Sequence, residues 1–213
     1  MTDEQKTMDD PMPEPRSEVA LAADTSAEGI PFCDGRGFKL LMRAGLAWLE
    51  RHQEAINTLN VYPVPDGDTG TNMLLTMQSA YREVQDSPEE QVSIISQKVA
   101  HGALMGARGN SGVILSQVFR GFARGLEGVD AFGTVQFASA LQEAARTAYK
   151  GVIKPVEGTI LTVARESADV SIQAAASSGD LRYVLEQVVK EARASVTRTP
   201  TLLPVLAEAG VVD

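Results

Sequence analysis

From Asp34 onward, apolar side chains return at three- and four-residue intervals almost without a break. That is the period of a helix buried along one face. Phe38, Leu41, Met42, Gly45, Leu46, Trp48 and Leu49 mark a first helix ending near Asn57 or Thr58. Met73, Leu74, Met77, Ala80, Tyr81 and Val84 mark a second, starting near Thr71. Ser87 or Pro88 is expected to open the third, with Glu89 and Glu90 suited to the positive end of its dipole and Val92, Ile95, Val99 and Leu104 as its core stripe. The glycine-rich segment 106–112 interrupts, and residues 113–126 read as the fourth helix. Asp130 and Thr134 are candidate caps for a fifth reaching Tyr149. Residues 159–176 read as the sixth and 181–196 as the seventh, while Thr199-Pro200 is expected to open a short eighth with proline in its first turn. Alternating strand patterns are absent. The expected fold is all-α, an eight-helix antiparallel bundle or barrel.

Composition changes this picture mainly at the N-terminus. The 213 residues are 44% hydrophobic, enough for one substantial core. Residues 1–30 hold eight acids against Lys6 and Arg16, so most of the net charge of -9 lies there. This stretch reads as an acidic, disordered leader ahead of a folded unit over 31–213. A body so weakly charged carries no nucleic-acid footprint. The single cysteine, Cys33, excludes an intrachain disulfide and fits a cytoplasmic location. No apolar run approaches the ~20 residues of a membrane span. The chain stops at Ala-Gly-Val-Val-Asp213 without an obvious cap and reads as the N-terminal part of something longer.

Chemistry is concentrated in the loops. Between helices one and two stands Leu59-Asn-Val-Tyr-Pro-Val-Pro-Asp-Gly-Asp-Thr-Gly-Thr-Asn-Met73. Asp66 and Asp68 are alternate residues, and a tight turn brings both carboxylates to one point. At ~4 Å such charges repel by roughly 4 kcal/mol at an effective dielectric of 20, which a shared cation relieves. An EF-hand would need glycine at position six and glutamate at position twelve, where this chain has Thr71 and Met77. Hard oxygen donors at a helix start suit magnesium with phosphate instead, the helix N–H groups with Thr69 and Thr71 holding anionic oxygens. Gly106-Ala-Arg-Gly-Asn-Ser-Gly112 is a second candidate anion nest, around Asn110 and Ser111. Pro155-Val-Glu-Gly-Thr159 is a third and weaker one, which a capping turn explains without a ligand. His52 and His101 fall on helices, away from these loops. Each of the three loops precedes an even-numbered helix. In an up-and-down bundle they share one rim, so positive helix ends and an acid pair converge on a site for a polyphosphate.

These same motifs resemble the fatty acid kinase A-subunit family, long labelled the "DAK phosphatase" family. Its N-terminal domain is similar to the L subunit of dihydroxyacetone kinase. Gly-Ala-Arg-Gly-Asn-Ser-Gly-Val-Ile-Leu-Ser, Glu-Gly-Thr-Ile-Leu-Thr-Val and Leu-Leu-Pro-Val-Leu-Ala-Glu-Ala-Gly-Val-Val-Asp extend the match over 35–213. The resemblance implies an eight-helix barrel that binds ATP or ADP with two magnesium ions at one end. It makes Asp66 and Asp68 the magnesium ligands and catalytic acids, with Asn60 nearest to a third ligand that is an aspartate in the dihydroxyacetone kinase subunit. Thr69 replaces a histidine at the nucleotide site. Asn72 falls near phosphate and Met73 near the nucleoside. Asn110 and Ser111 replace a phosphate-contacting serine pair, and Thr159 and Ile160 fall near adenine or ribose. Thr162, where the dihydroxyacetone subunit has aspartate, points to the fatty acid kinase type.

The implied reaction transfers the terminal phosphoryl group of ATP to a fatty acid held by a separate acyl-binding protein. Positioning and electrostatics would carry it, without a side-chain nucleophile. Competing classes are a metal-dependent phosphatase, a glycerone kinase-type phosphotransfer subunit and a non-catalytic nucleotide sensor. Homo-oligomerisation stays open.

Overall fold

The computed structural model describes residues 29–213. The leader expected over 1–30 therefore lies outside the described residues except for Gly29 and Ile30. Eight helices follow in order: α1 (Gly35–Leu59), α2 (Thr69–Arg82), α3 (Val92–Gly106), α4 (Gly109–Gly125), α5 (Thr134–Gly151), α6 (Ile160–Ser177), α7 (Leu181–Leu202) and α8 (Pro204–Ala209). Each packs on the next in sequence, as short connections require, so the fold is the expected all-α antiparallel bundle. Among the described residues no helix is long and apolar enough to cross a membrane.

One end of the bundle is tied by main-chain bonds. The strands β1 (Cys33–Asp34) and β2 (Ala131–Phe132) pair antiparallel, Cys33 opposite Phe132. Gly35 N–H donates to the Glu90 carbonyl, Val92 N–H to that of Asp130, and Leu181 N–H to that of Ile30. The N-termini of α1, α3, α5 and α7 are thus joined at this end. Those of α2, α4 and α6 must lie at the other. Above the tied end sits the aromatic core. Phe38 stacks on Phe122 at 5.6 Å and Phe132 on Phe137 at 5.7 Å, with Phe122 edge-on to Phe132 at 6.2 Å. Cys33 is buried beside this cluster, and burial, reinforced by Asp34, pushes its thiol up to about 11.

Five helix boundaries differ from expectation. Helix α2 starts at Thr69, and α4 takes in Gly109, Asn110 and Ser111 as its first turn. Helix α3 starts at Val92 rather than Ser87 or Pro88. The Glu89 carboxylate accepts the N–H groups of Glu90 and Gln91, each at 3.0 Å, and Lys39 Nζ binds the Ser87 and Glu89 carbonyls. These contacts hold 87–91 as an extended strap. Helix α5 is capped by neither Asp130 nor Thr134. Gly133 is its N-cap, its N–H donating to Gln136 Oε1 at 3.1 Å. Pro200 does not open the eighth helix but lies inside α7. Its missing N–H would orphan the Val196 carbonyl, which instead accepts Thr199 Oγ1 at 2.7 Å. Pro204 takes the first-turn position foreseen for Pro200. The two-residue strands had no sequence signal, since a pair of residues cannot alternate.

Candidate functional site

The rim opposite the tied end is built by the α1–α2 loop and the starts of α2 and α4. The last turns of α1 send two amides, Gln53 and Asn57, one helical turn apart, towards Thr71. Gln53 Nε2 donates to Thr71 Oγ1 at 2.9 Å and Asn57 Nδ2 at 3.1 Å. Asn57 Oδ1 in turn accepts Thr71 N–H at 3.1 Å. With two bonds accepted, the Thr71 hydroxyl keeps its proton for an acceptor at the rim. Gly70 makes this approach feasible, because a Cβ there would overlap the Gln53 carbonyl oxygen. Asn57→Ala should leave the half-buried Thr71 N–H without its partner and cost about 1–2 kcal/mol, read as a lower urea midpoint.

Asn60 shapes the loop that follows. Its Nδ2 donates to the carbonyls of Tyr62 and Val64, and its Oδ1 accepts Asp68 N–H at 3.2 Å. The Tyr62–Pro63 peptide is cis, and Gly67 has φ +66°. Asp66 is exposed and Asp68 half-buried at the N-cap of α2. Among the described residues neither carboxylate takes part in a hydrogen bond or ion pair, and Asp68 does not cap its own helix with its side chain.

Helices α2 and α4 meet at their N-termini. Arg108 N–H donates to Thr76 Oγ1 at 3.2 Å, and Thr76 Oγ1 donates to the Asn72 carbonyl at 2.7 Å. A Cβ on Gly109 would overlap the Asn72 side-chain amide, and one on Gly112 would overlap Thr76 Oγ1. Asn72, exposed Asn110 and half-buried Ser111 are thereby gathered beside Thr69 and Thr71, with Met73 in the same turn. Arg108, the N-cap of α4, likewise makes no side-chain cap. Two positive helix ends lie side by side, and among the described residues the N–H groups of Thr69 and Gly70 in α2 and of Gly109, Asn110 and Ser111 in α4 have no hydrogen-bond partner, an arrangement able to receive anionic oxygens.

The α6 start is organised differently. Thr159 caps it, its hydroxyl donating to the Val156 carbonyl at 2.7 Å and accepting Leu161 N–H. Ile160 N–H is taken by Asp213 Oδ2 at 2.6 Å. No hydrogen bond links this turn to the other two, although the helix directions place it on the same rim. Thr162, fully buried, donates to Glu157 Oε2 at 2.6 Å, and that carboxylate also receives Tyr149 Oη at 2.9 Å and Arg165 Nη2 at 3.0 Å. The Thr162 hydroxyl leads these donors in holding Glu157 below the ordinary carboxylate range. Burial leads in pushing the Tyr149 phenol up, while its hydrogen bond and that of Glu157 push the Arg165 guanidinium up.

A depressed carboxylate contributes its stability above its unfolded pKa and loses it as pH falls through the folded one. The melting-temperature gap between the protein and Glu157→Gln should therefore close as pH falls from about 7 to about 3, below the ordinary glutamate value. The loop motifs do not point to Gln53, Asn57 or Thr76. Two amides four residues apart at the C-terminal end of an amphipathic helix were the available signal.

Residues 63–213 match the DAK2 domain family model. Over 180 residues, 84% of this chain, it is 49% identical to an "Uncharacterized protein" of Staphylococcus saprophyticus and to Protein YloV of Bacillus subtilis. It is 45% identical, over the same share, to an "Uncharacterized protein" of Staphylococcus aureus. These alignments cover 33%, 32% and 33% of the relatives, so the chain spans about a third of their length.

Proposed function

This chain belongs to the DAK2 domain family, and from that membership we propose that its α2–α4 rim binds magnesium–ATP as the phosphoryl-donor half of a kinase. One observation carries this reading: two helix N-termini whose own N-cap residues, Asp68 and Arg108, make no side-chain cap lie together, and Asp66 and Asp68 stand on the loop entering the first. The donor chemistry fits magnesium. Two carboxylates offer hard oxygens, and among the described residues no group of three or more His, Cys, Asp or Glu is close enough to hold a metal ion. Phosphate oxygens and water would complete the shell, which is magnesium's habit at nucleotide sites. The motif resemblance favours two ions.

Asp66 and Asp68 hold the cations. The N–H groups of Thr69 and Gly70 in α2 and the first-turn N–H groups of α4, with the side chains of Thr69, Thr71, Asn72, Asn110 and Ser111, fix the phosphate oxygens. Met73 packs on the nucleoside, and Thr159 and Ile160 border adenine or ribose from the neighbouring turn. Asn60 orients the acid loop and has a carbonyl lone pair left for a metal. When bound, magnesium neutralises the phosphate charge and aligns the terminal group for in-line transfer. The chain's own share is preorganisation: Asn57 and Gln53 fix Thr71, and Thr76 fixes the α4 start, before nucleotide arrives.

The acceptor we propose is a fatty acid carried by a separate acyl-binding protein, with acyl phosphate as product. The test is ATP turnover by the full-length protein with and without that acyl-loaded partner. Consumption that requires the loaded partner, with little phosphate released from simple phosphate esters, is the expected result. Hydrolysis of such esters without ATP would replace the reading with a metal-dependent phosphatase. Phosphorylation of dihydroxyacetone would replace it with the glycerone kinase type, and nucleotide binding without turnover with a sensor.

A further inference from the structure

We propose that the open groove between α1 and α7 is the docking site of the chain's own acidic leader, centred on Val19–Ala23. The groove is independent of the nucleotide rim. Helix α1 packs on α2 and α3, and α7 on α6 and α8, which leaves a seam between α1 and α7. The seam encloses about 1040 Å³ over a floor of Phe132, Phe137 and Leu185. Its apolar walls face solvent: Phe32 is 68% exposed, Leu40 56% and Val189 49%. Such a concentration of exposed apolar surface marks a binding site.

Charge and connectivity select the occupant. Along the α7 wall stand Arg182, Lys190 and Arg193, all exposed, and the groove's lining holds two acids against them, Glu186 and Asp34. A complementary segment is therefore apolar with acidic flanks. Residues 18–24 read Glu-Val-Ala-Leu-Ala-Ala-Asp, five apolar residues between two acids, within a leader that is strongly acidic throughout. The leader also joins the fold at the groove. Ile30, which lines it, donates its N–H to Asp180 Oδ1 at 2.8 Å and accepts Leu181 N–H at 2.8 Å.

Leu21 lies nine positions before Ile30, a reach of up to ~30 Å, while the α7 wall from Leu181 to Arg193 rises only ~18 Å. A tether this short holds the segment at an effective concentration in the millimolar range, so weak intrinsic affinity is enough. A second copy seated face to face would instead oppose these cations with their own counterparts.

The experiment uses the full chain carrying a photo-crosslinking p-benzoylphenylalanine in place of Leu21, with products mapped by mass spectrometry. Expected are crosslinks within one chain to groove residues of α1 and α7. Their yield should fall about fivefold in the Lys190→Glu/Arg193→Glu variant, and similarly for the unsubstituted groove in about 0.5 M salt, where exposed charges are screened. Adding Glu18→Lys/Asp24→Lys to the charge-reversed groove should restore the yield. Crosslinks elsewhere, or none, with helicity intact by circular dichroism, would overturn the proposal. Groove crosslinks formed between chains would overturn it in favour of a second copy.

Discussion

Replacing Asp66 or Asp68 with alanine should weaken magnesium–ADP binding at least about 100-fold, ~2.7 kcal/mol, with unchanged far-UV circular dichroism. The separation of the two readouts follows from the loop. Among the described residues neither carboxylate makes a bond that holds the fold: Asp66 is exposed, and Asp68 leaves the capping of α2 to others. Among the described residues, removing either costs no internal bond, but it would take half the anionic charge from the cation we propose between them. Asn60→Ala should behave differently. It loses the bonds to Tyr62, Val64 and Asp68 together, so affinity and stability should fall in step. Calorimetric titration with magnesium–ADP distinguishes the cases, and unchanged affinity in both aspartate variants would remove the acid pair from the site.

Gly70→Ala is expected to be the most damaging single methyl at the rim. The added Cβ meets the Gln53 backbone carbonyl and the Asn57 side chain, neither of which is the free end of a flexible group. Overpacking of this kind costs about 1–3 kcal/mol, and in a domain of this size each kcal/mol lowers the melting temperature by roughly 2–4 °C. A fall of about 5–10 °C is expected, because the broken Thr71 clamp adds to the clash. Nucleotide affinity should drop as well, since α1 must move from α2 and carry Asn57 off Thr71. Gly67→Ala, where the nearest atom is 3.8 Å away but φ is +66°, should show only the backbone penalty of about 1 kcal/mol. Thermal melts of the two variants side by side separate steric from conformational cost.

The helices were legible because each long one carries a continuous apolar stripe, and the shared end of the even-numbered helices follows from their number and short connections. What stayed hidden was set by contacts between distant residues. Ser87–Gln91 looks like a helix start until Lys39, from another helix, takes its carbonyls. Pro200 looks like a boundary until the Thr199 hydroxyl satisfies the carbonyl that proline leaves open. At the rim, the loop acids and glycines stand out by type and spacing. Gln53 and Asn57 do not, since a polar residue on an amphipathic helix ordinarily faces water. The third turn showed the opposite: Thr159 is a cap, as local sequence suggested, and its first N–H is already taken by Asp213.

The main-chain bonds joining the starts of α1, α3, α5 and α7 divide the molecule by local stability. Amides at that end, such as Gly35 and Val92, are bonded across elements distant in sequence, so they open only when those elements separate. Their hydrogen exchange should report global unfolding. Amides of the α1–α2 loop have few such ties and should exchange through small local openings. A nucleotide arriving at the rim would therefore meet a pliant loop beside helix starts already fixed in place, on a bundle anchored at its far end.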